Sequence, residues 1–579
     1  MGALPKHSVQ PVHVWRRWSV LVFLGLCSMA VLGRAVQLQV VEQAFLQKEG
    51  DKRHIRTVSI PGHRGALRDR NGQPLALSAP VESIWAVPAA LLDSPKHVYA
   101  LAQLLGKKPR ELEKMLQERV EKKFVYLAND LSPLEAKRIL ALKAPGVFSE
   151  EKYARYYPAG EVAAQVVGFC GRDGVGLAGM EVAQQKSLAG VSGERRVIRD
   201  RTGRVIEDGL ESREAKAGED LQLTLDLRLQ YLAYRELKAA VTRNSARGGM
   251  IVVADAQTGE VLAMASYPSF NPNNTGERAT AGTKNRVVAD SFEPGSTVKP
   301  LMVAQALELG LYQPTSHIDT TPGFFKVGSL TVRDVHPQGD IDLAHLLAKS
   351  SNVGAAKMGL NMGAESLWNG YQRFGMGEPV YSGFPGEASP VLRHFSDWGQ
   401  IATATASYGY GLSVNAMHLV RAYSALANDG LMPTLRLLRK SPQVPPQRAV
   451  SATAAREVRR MMEGVVETGG TAVAASIPGY QVTGKTGTIR KLADGGGYAS
   501  DRHQSVFIGM VPAQRPRLVG LVMIDEPSAG DYYGGLVSGP VFSVVMQGAL
   551  RQLQIAPDGS SLPPPAPQTV AGVSREPRT

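Results

Sequence analysis

Cysteine is almost absent from this chain of 579 residues: it occurs twice, at Cys27 and Cys170. One lies inside an apolar segment and the other far outside it, so no pairing is expected between them. Two thiols exclude a disulfide framework and a cysteine-based zinc site. A second long apolar run is also missing, so one membrane span is the most the chain offers. Basic residues are not gathered. The net charge is +13, yet Lys and Arg are spread along the sequence with no RNP-like, zinc-finger or basic-zipper pattern. That reads as a generally basic surface, and no nucleic-acid partner is expected. Internal repeats are lacking too. With 44% hydrophobic and 20% charged residues the composition is globular, and the length calls for two or more domains.

The one long apolar run is Trp18 to Gly33, flanked by Arg16 and Arg17 before and Arg34 after. It is slightly short for a bilayer. Arg34 can snorkel, and Ala35 to Val41 can extend the helix. Lys6, Arg16 and Arg17 precede it, which favours a cytoplasmic N-terminus. Ser28-Met29-Ala30 resembles a signal-peptide cleavage site, but the run continues apolar through Val31 and Leu32, so an uncleaved anchor is the preferred reading. The rest of the chain is then expected outside the cytoplasm. The expected divisions are 1–17 a cytoplasmic tail, 18–41 the anchor, 42–217 a mixed N-terminal domain, 218–555 a second domain and 556–579 a disordered tail rich in Pro, Ser and Gln.

In the first domain Val98 to Leu105, Pro109 to Val120 and Pro133 to Leu142 have the spacing of amphipathic helices. The second domain opens with a short strand, Leu221 to Asp226, and a helical run, Leu229 to Val241. Gly249 to Asp255 and Glu260 to Ser266 read as strands joined by a hairpin turn. Ser505 to Val511 and Leu518 to Ile524 are strand candidates near the end, and Val541 to Leu553 is a closing helix. Strands at both ends of a domain, with helices between, predict an α+β layer architecture whose termini share one sheet.

Three short motifs carry chemistry. In Pro294-Gly295-Ser296-Thr297-Val298-Lys299-Pro300 the Pro-Gly turn lets Ser296 open a helix running to Gly310. Three residues apart on a helix is the same face, so Ser296 and Lys299 can meet. A serine hydroxyl needs a neighbour to take its proton, and a desolvated lysine can be neutral enough to do so. S-x-x-K arises by chance about once in 225 residues, and Ser149 with Lys152 matches it among solvated charges. Ser350-Ser351-Asn352 falls between helical runs Leu343 to Ala348 and Val353 to Leu360, where polar side chains can project into a cleft or merely cap a helix. Ser269 with Asn271 and Ser413 with Asn415 share that S-x-N pattern.

Gly484-Lys485-Thr486-Gly487-Thr488 can line a cleft as a strand. Its lysine attracts a carboxylate, its hydroxyls donate to it, and Gly487 admits a substrate backbone. The same residues, from Gly479 to Thr486, also satisfy a P-loop pattern, and Leu521 to Glu526 imitates a Walker B strand. Against a nucleotide site, a P-loop must open a helix and follow an apolar strand, whereas Ser476-Ile477-Pro478 precedes this one and Gly495-Gly496-Gly497 follows shortly after.

Taken in order, Ser296-x-x-Lys299, Ser350-x-Asn352 and Lys485-Thr486-Gly487 resemble the three motifs of penicillin-binding proteins and serine β-lactamases. Arg64-Gly65, Asp69-Arg70-Asn71-Gly72, Arg155-Tyr156-Tyr157-Pro158 and Gly179-Met180-Glu181 resemble class B signatures. Phe384 to Glu387 and Ser407 to Gly411 resemble the division-type, FtsI-like branch. The resemblance covers about residues 18–555. It implies an elongated pedestal of the dimerisation type followed by a transpeptidase domain, its antiparallel sheet flanked by helices, and no glycosyltransferase domain. It implies a peptidoglycan D,D-transpeptidase, a target of β-lactams, with Ser296, Lys299, Ser350 and Asn352 catalytic and Lys485, Thr486, Gly487 and Thr488 binding substrate. No metal or cofactor is called for, since peptide exchange needs no external energy. The implied partners are wall stem peptides, a membrane glycosyltransferase and division proteins, at the inner membrane with the catalytic domain periplasmic. A D,D-carboxypeptidase or β-lactamase, a non-catalytic β-lactam sensor or division scaffold, and a P-loop NTPase are the alternatives. The middle motif has Ser351 in place of Asp, and Asn415 stands where threonine is expected.

Overall fold

The computed structural model describes residues 14–43, 45, 55–60, 62–199, 205–442, 444–493 and 496–558. Most of the expected cytoplasmic tail and of the expected disordered tail lies outside the described residues. The chain divides into two compact units, 1–62 with 190–217, and 63–189 with 218–579.

The first unit holds helix α1, Val14–Val36, which continues through a π-helical turn, Gln37–Val41. Together Val14–Val41 are long and apolar enough to cross a membrane, and none of the most apolar window is buried against protein. The π turn falls where the sequence leads one to expect an extension of the anchor. The same unit contains a three-stranded antiparallel sheet with Gly193–Arg199 between Ile55–Ile60 and Val205–Arg213.

In the second unit the first layer is a sheet centred on β1, Pro74–Ala86, which pairs antiparallel with β2, Val125–Leu131, and β3, Val147–Tyr156. Helices Pro88–Leu92, Pro95–Leu104, Pro109–Gln117 and Pro133–Leu140 each begin on proline, whose fixed φ suits the first turn and whose missing N–H costs nothing there. Leu101, Leu112, Leu116 and Ile139 pack on Ile84 and Ala86.

The larger part is a three-layer α+β fold. Helix α2, Leu227–Arg243, leads into β4, Gly248–Asp255, and β5, Val261–Tyr267. Helices α3, Lys299–Glu308, α4, Leu343–Lys349, α5, Asn352–Met362, α6, Ala416–Ala427, and α7, Ala452–Glu463, follow. Strands β6, Thr483–Leu492, β7, Tyr498–Val511, and β8, Leu518–Asp525, precede the last helix, α8, Gly539–Gln552. The sheet order is β5-β4-β8-β7-β6, antiparallel throughout. First and last strands therefore meet at β4 and β8, as the sequence predicts. The anticipated strand from Leu221 shrinks to Leu221–Gln222, because Asp226 turns to cap α2.

Both faces of this sheet are covered, which is why its strands read as unbroken apolar runs. Ile251, Val253, Phe507, Val522 and Ile524 face α2 and α8; Met250, Val252, Val506, Ile508, Leu521 and Met523 face the other helices. At the centre of that second layer every residue of α6 is buried. Asn415 caps α6 by accepting from the His418 N–H, while its amide donates to the carbonyls of Val288 and Ala388. The residue that replaces the expected threonine is thus a helix cap tied to two loops. Strand β6 lies at the sheet edge, so one side of its backbone has no strand partner among the described residues.

Candidate active site

Ser296 sits in a 3-10 turn, Gly295–Val298, that runs directly into α3. Gly295 has φ +55, and its N–H donates to the carbonyl of Gly409 at 3.0 Å. Thr297 Oγ1 donates to the carbonyl of Pro294, and the hydroxyl of Tyr423, from the buried helix α6, donates to the carbonyl of Thr297; both are 2.7 Å. A half-buried serine thus rides on a turn fixed from three directions.

One turn on, Lys299 is fully buried. Its Nζ lies 2.7 Å from the carbonyl oxygen of Ser350, 2.7 Å from Asn352 Oδ1 and 3.3 Å from Ser350 Oγ. Burial, and then repulsion from Lys485, push this amine well below its ordinary range, while Asp334 opposes the shift. A neutral amine has two hydrogens and one lone pair. The two carbonyl oxygens can accept only, so they claim the hydrogens and leave the lone pair for a hydroxyl. Among the described residues the Ser296 hydroxyl makes no hydrogen bond to this amine.

Ser350 and Asn352 reach Lys299 because of how α4 ends and α5 begins. Ser350 caps α4 with φ +59, a left-handed conformation that costs a non-glycine residue roughly 1–2 kcal/mol. Such local strain persists where surrounding bonds hold it, often at functional sites. Here Asp334 accepts from Ser351 Oγ at 2.7 Å and from the N–H groups of Asn352 and Val353 at 2.5 and 3.0 Å, closing the α5 N-terminus. Asn352 Nδ2 donates to the carbonyl of Arg333 at 3.2 Å, which orients Oδ1 toward Lys299.

Opposite stands β6. Lys485 is also fully buried, and burial lowers its amine to about 7. Thr486 Oγ1 lies 3.1 Å from Thr471 Oγ1, and Thr488 Oγ1 accepts from the Gly534 N–H at 3.2 Å. A side chain at Gly487 would press on Thr297 Cγ2 at 3.0 Å, so glycine lets the strand lie against the Ser296 turn. The first and third motifs are thus adjacent, and repulsion from Lys485 acts on Lys299, the amine that the second motif holds through Ser350 and Asn352. The other S-x-x-K and S-x-N matches lie elsewhere: Ser149 and Lys152 are on β3, where Lys152 pairs with Glu150, and Asn271 accepts from Asn273.

Gly484 to Thr486 lie within the first half of strand β6, paired with β7 at Gly509, Ile508 and Phe507. That corrects the P-loop alternative: the residues open no helix and leave no nest of free N–H groups for a phosphate. The Walker-like acid Asp525 is bound by Arg286 at 2.6 Å and Lys491 at 3.0 Å.

Comparison with known proteins agrees with this geometry. A family model described as the penicillin binding protein transpeptidase domain matches residues 249–547, and one for the penicillin-binding protein dimerisation domain matches 59–223. The chain belongs to the penicillin-binding protein transpeptidases. It is 41% identical to a probable peptidoglycan D,D-transpeptidase, PbpC, of Pseudomonas aeruginosa, across 93% of this chain and 95% of that one. It is 40% identical to the peptidoglycan D,D-transpeptidase FtsI of Escherichia coli, across 93% of each. A crystal structure of a peptidoglycan synthetase from Bifidobacterium adolescentis superposes with a TM-score of 0.70 at 25% identity, covering 87% of this chain and 98% of that one.

Within this family fold the structure adds residues that sequence reasoning missed. Asp334 and Thr471 brace two motifs from loops with no pattern of their own. Glu293 accepts from the Gly411 N–H at 2.8 Å and from the Tyr498 hydroxyl at 3.1 Å, and Tyr410 and Tyr498 meet edge to face at 5.2 Å beside the serine turn. The separated class B signatures converge. Arg64 Nε and Arg155 Nε hold the two oxygens of the buried Glu181 carboxylate at 2.6 and 2.7 Å. Asp69 accepts from Leu227 N, and Arg70 pairs with Glu260, which also binds Arg436.

Proposed function

We propose that this chain is anchored by one membrane helix with its catalytic domain outside the cytoplasm, and that it cross-links peptidoglycan stem peptides through an acyl-enzyme on Ser296. The observation that carries this reading is the fully buried Lys299 one turn from Ser296, its amine pushed well below its ordinary range, with the buried Lys485 of the edge strand opposite.

In this scheme the donor is a pentapeptide ending in D-Ala-D-Ala. Ser296 attacks the penultimate carbonyl while Lys299 takes its proton. The N–H groups of Ser296 and Thr488 stabilise the oxyanion, each worth about 3 kcal/mol in the transition state. Lys485, Thr486 and Thr488 hold the terminal carboxylate, and Gly487 leaves room for its backbone. A carboxylate in the groove favours the charged form of Lys485, which burial alone opposes. Ser350 relays a proton to the departing D-Ala, and Asn352 orients the substrate amide. An amine of a neighbouring stem then takes the acyl group, and a β-lactam arrests the cycle by mimicking the donor.

The proposed division of labour is an anchor at 18–41, a pedestal at 42–217 and a transpeptidase at 218–555. The likeness to the FtsI-type relative supports work at the septum beside a membrane glycosyltransferase and division proteins. Acylation by fluorescent penicillin, with mass mapping of the modified residue, tests the scheme. Label on Ser296, lost in Ser296→Ala without loss of fold, is expected. Label elsewhere, or persisting in that variant, overturns it.

A further inference from the structure

At the C-terminal end of α6 lies a cavity of about 440 Å³ that contains none of the three motifs. Arg456, Arg459 and Arg515 line it together with Asn428, Asp429 and Gln514. Asp429 is held between two guanidiniums: Arg456 reaches Oδ2 at 3.1 and 2.5 Å, and Arg459 reaches Oδ1 at 2.9 Å. Arg459 is nearly buried, 7% exposed. Its Nη1 also caps α6 through the Leu426 carbonyl, while its other donors meet no protein acceptor among the described residues. Arg515, on the turn between β7 and β8, is exposed and forms no ion pair among the described residues. Neighbouring Arg517 is already paired with Asp255. Three guanidiniums thus face one carboxylate, an excess of two positive charges around a space large enough for a ligand.

We infer that this cavity is a second anion site, taking the carboxylates of a peptidoglycan stem peptide apart from the catalytic groove. A carboxylate already sits between two of its guanidinium forks, which shows the chemistry the cavity accepts. The side chains of Gln514 and of Gln257, which also lines it, can serve peptide amides. The choice of peptide rests on the function proposed above. It would place a strand of wall polymer on the enzyme independently of the donor being processed.

The test uses full-length protein in detergent, both penicillin-blocked and as Ser296→Ala. Each is titrated calorimetrically with the stem tripeptide L-Ala–γ-D-Glu–diaminopimelate, which lacks D-Ala-D-Ala and cannot act as donor. Saturable binding, weakened at least about tenfold by Arg515→Glu and largely kept by Arg515→Lys, is expected, as for loss of a charge-assisted contact. No saturable binding, or binding unchanged in Arg515→Glu, overturns the inference. So does inorganic phosphate displacing the tripeptide at equal concentration. Penicillin labelling of the unblocked parent protein is read separately: intact label at Ser296 with no saturable tripeptide binding to the parent sinks this site alone, whereas absent label in the parent protein sinks the main proposal.

Discussion

Lysine is rarely buried completely, because an ammonium taken out of water costs several kcal/mol unless it is paired. Lys299 and Lys485 are both fully buried, and neither forms an ion pair among the described residues. Shedding the proton is the cheaper response. The folded state therefore binds fewer protons than the unfolded chain, whose lysines titrate near about 10.4. These burials cost stability below that value, and the cost shrinks as pH rises toward it. The motif residues themselves were legible, because a spacing of three fixes one helical face whatever surrounds it. Asp334 was not, and Gly409 was legible only as part of the Ser407 to Gly411 stretch with no role attached, since their roles come from hydrogen-bond partners 17 or more and 114 positions away that no local pattern encodes. Gly409 has φ +89, and a Cβ there would sit 2.1 Å from the Gly295 carbonyl oxygen. Gly409→Ala should displace the Ser296 turn and lower the rate of penicillin acylation by more than about tenfold, roughly 1.4 kcal/mol of barrier, in stopped-flow labelling. An unchanged rate would show that the turn tolerates the shift.

Among the elements, strands β4, β5, β7 and β8 could be read from their apolar runs and the closing helix α8 from its periodicity. Helix α6 could not, because His418, Arg421 and Ser424, three apart on one face, read as a solvent side, yet every residue of the helix is buried. Nor could the edge position of β6, which depends on pairing between distant strands. Yet α6 carries the hydroxyl that fixes the Ser296 turn. Tyr423→Phe removes that hydroxyl and leaves the Thr297 carbonyl unpaired in a dry interior. It should cost about 1–3 kcal/mol of stability and slow acylation, with penicillin affinity less affected than the acylation step. Equal stability in thermal unfolding would contradict the assigned bond.

For the molecule as a whole, the class B signatures make sense only in three dimensions. Each supplies one member of a buried Arg64–Glu181–Arg155 cluster, or a tie from Arg70 and Asp69 to the start of the catalytic domain. Glu181→Gln leaves two buried guanidiniums without a counter-charge, and breaking such a cluster costs about 3–5 kcal/mol. Thermal unfolding of the full chain in detergent should show that loss while Ser296, in a different layer, still labels well below the new midpoint. Loss of labelling with unchanged stability would instead give the cluster a catalytic role.

The central claim is that Lys299 is uncharged at working pH while Lys485 supplies the cation. The most direct measurement is the second-order rate constant for penicillin acylation followed across roughly pH 5 to 10, which reports groups of the free enzyme. The neutral Lys299 form exists above its depressed pKa and the charged Lys485 form below about 7. A bell is therefore predicted, with its alkaline limb near neutrality and its acid limb far below the ordinary lysine range. A rate that climbs steadily toward about pH 10.4 would mean that Lys299 carries a proton in the resting enzyme, and the account would fail.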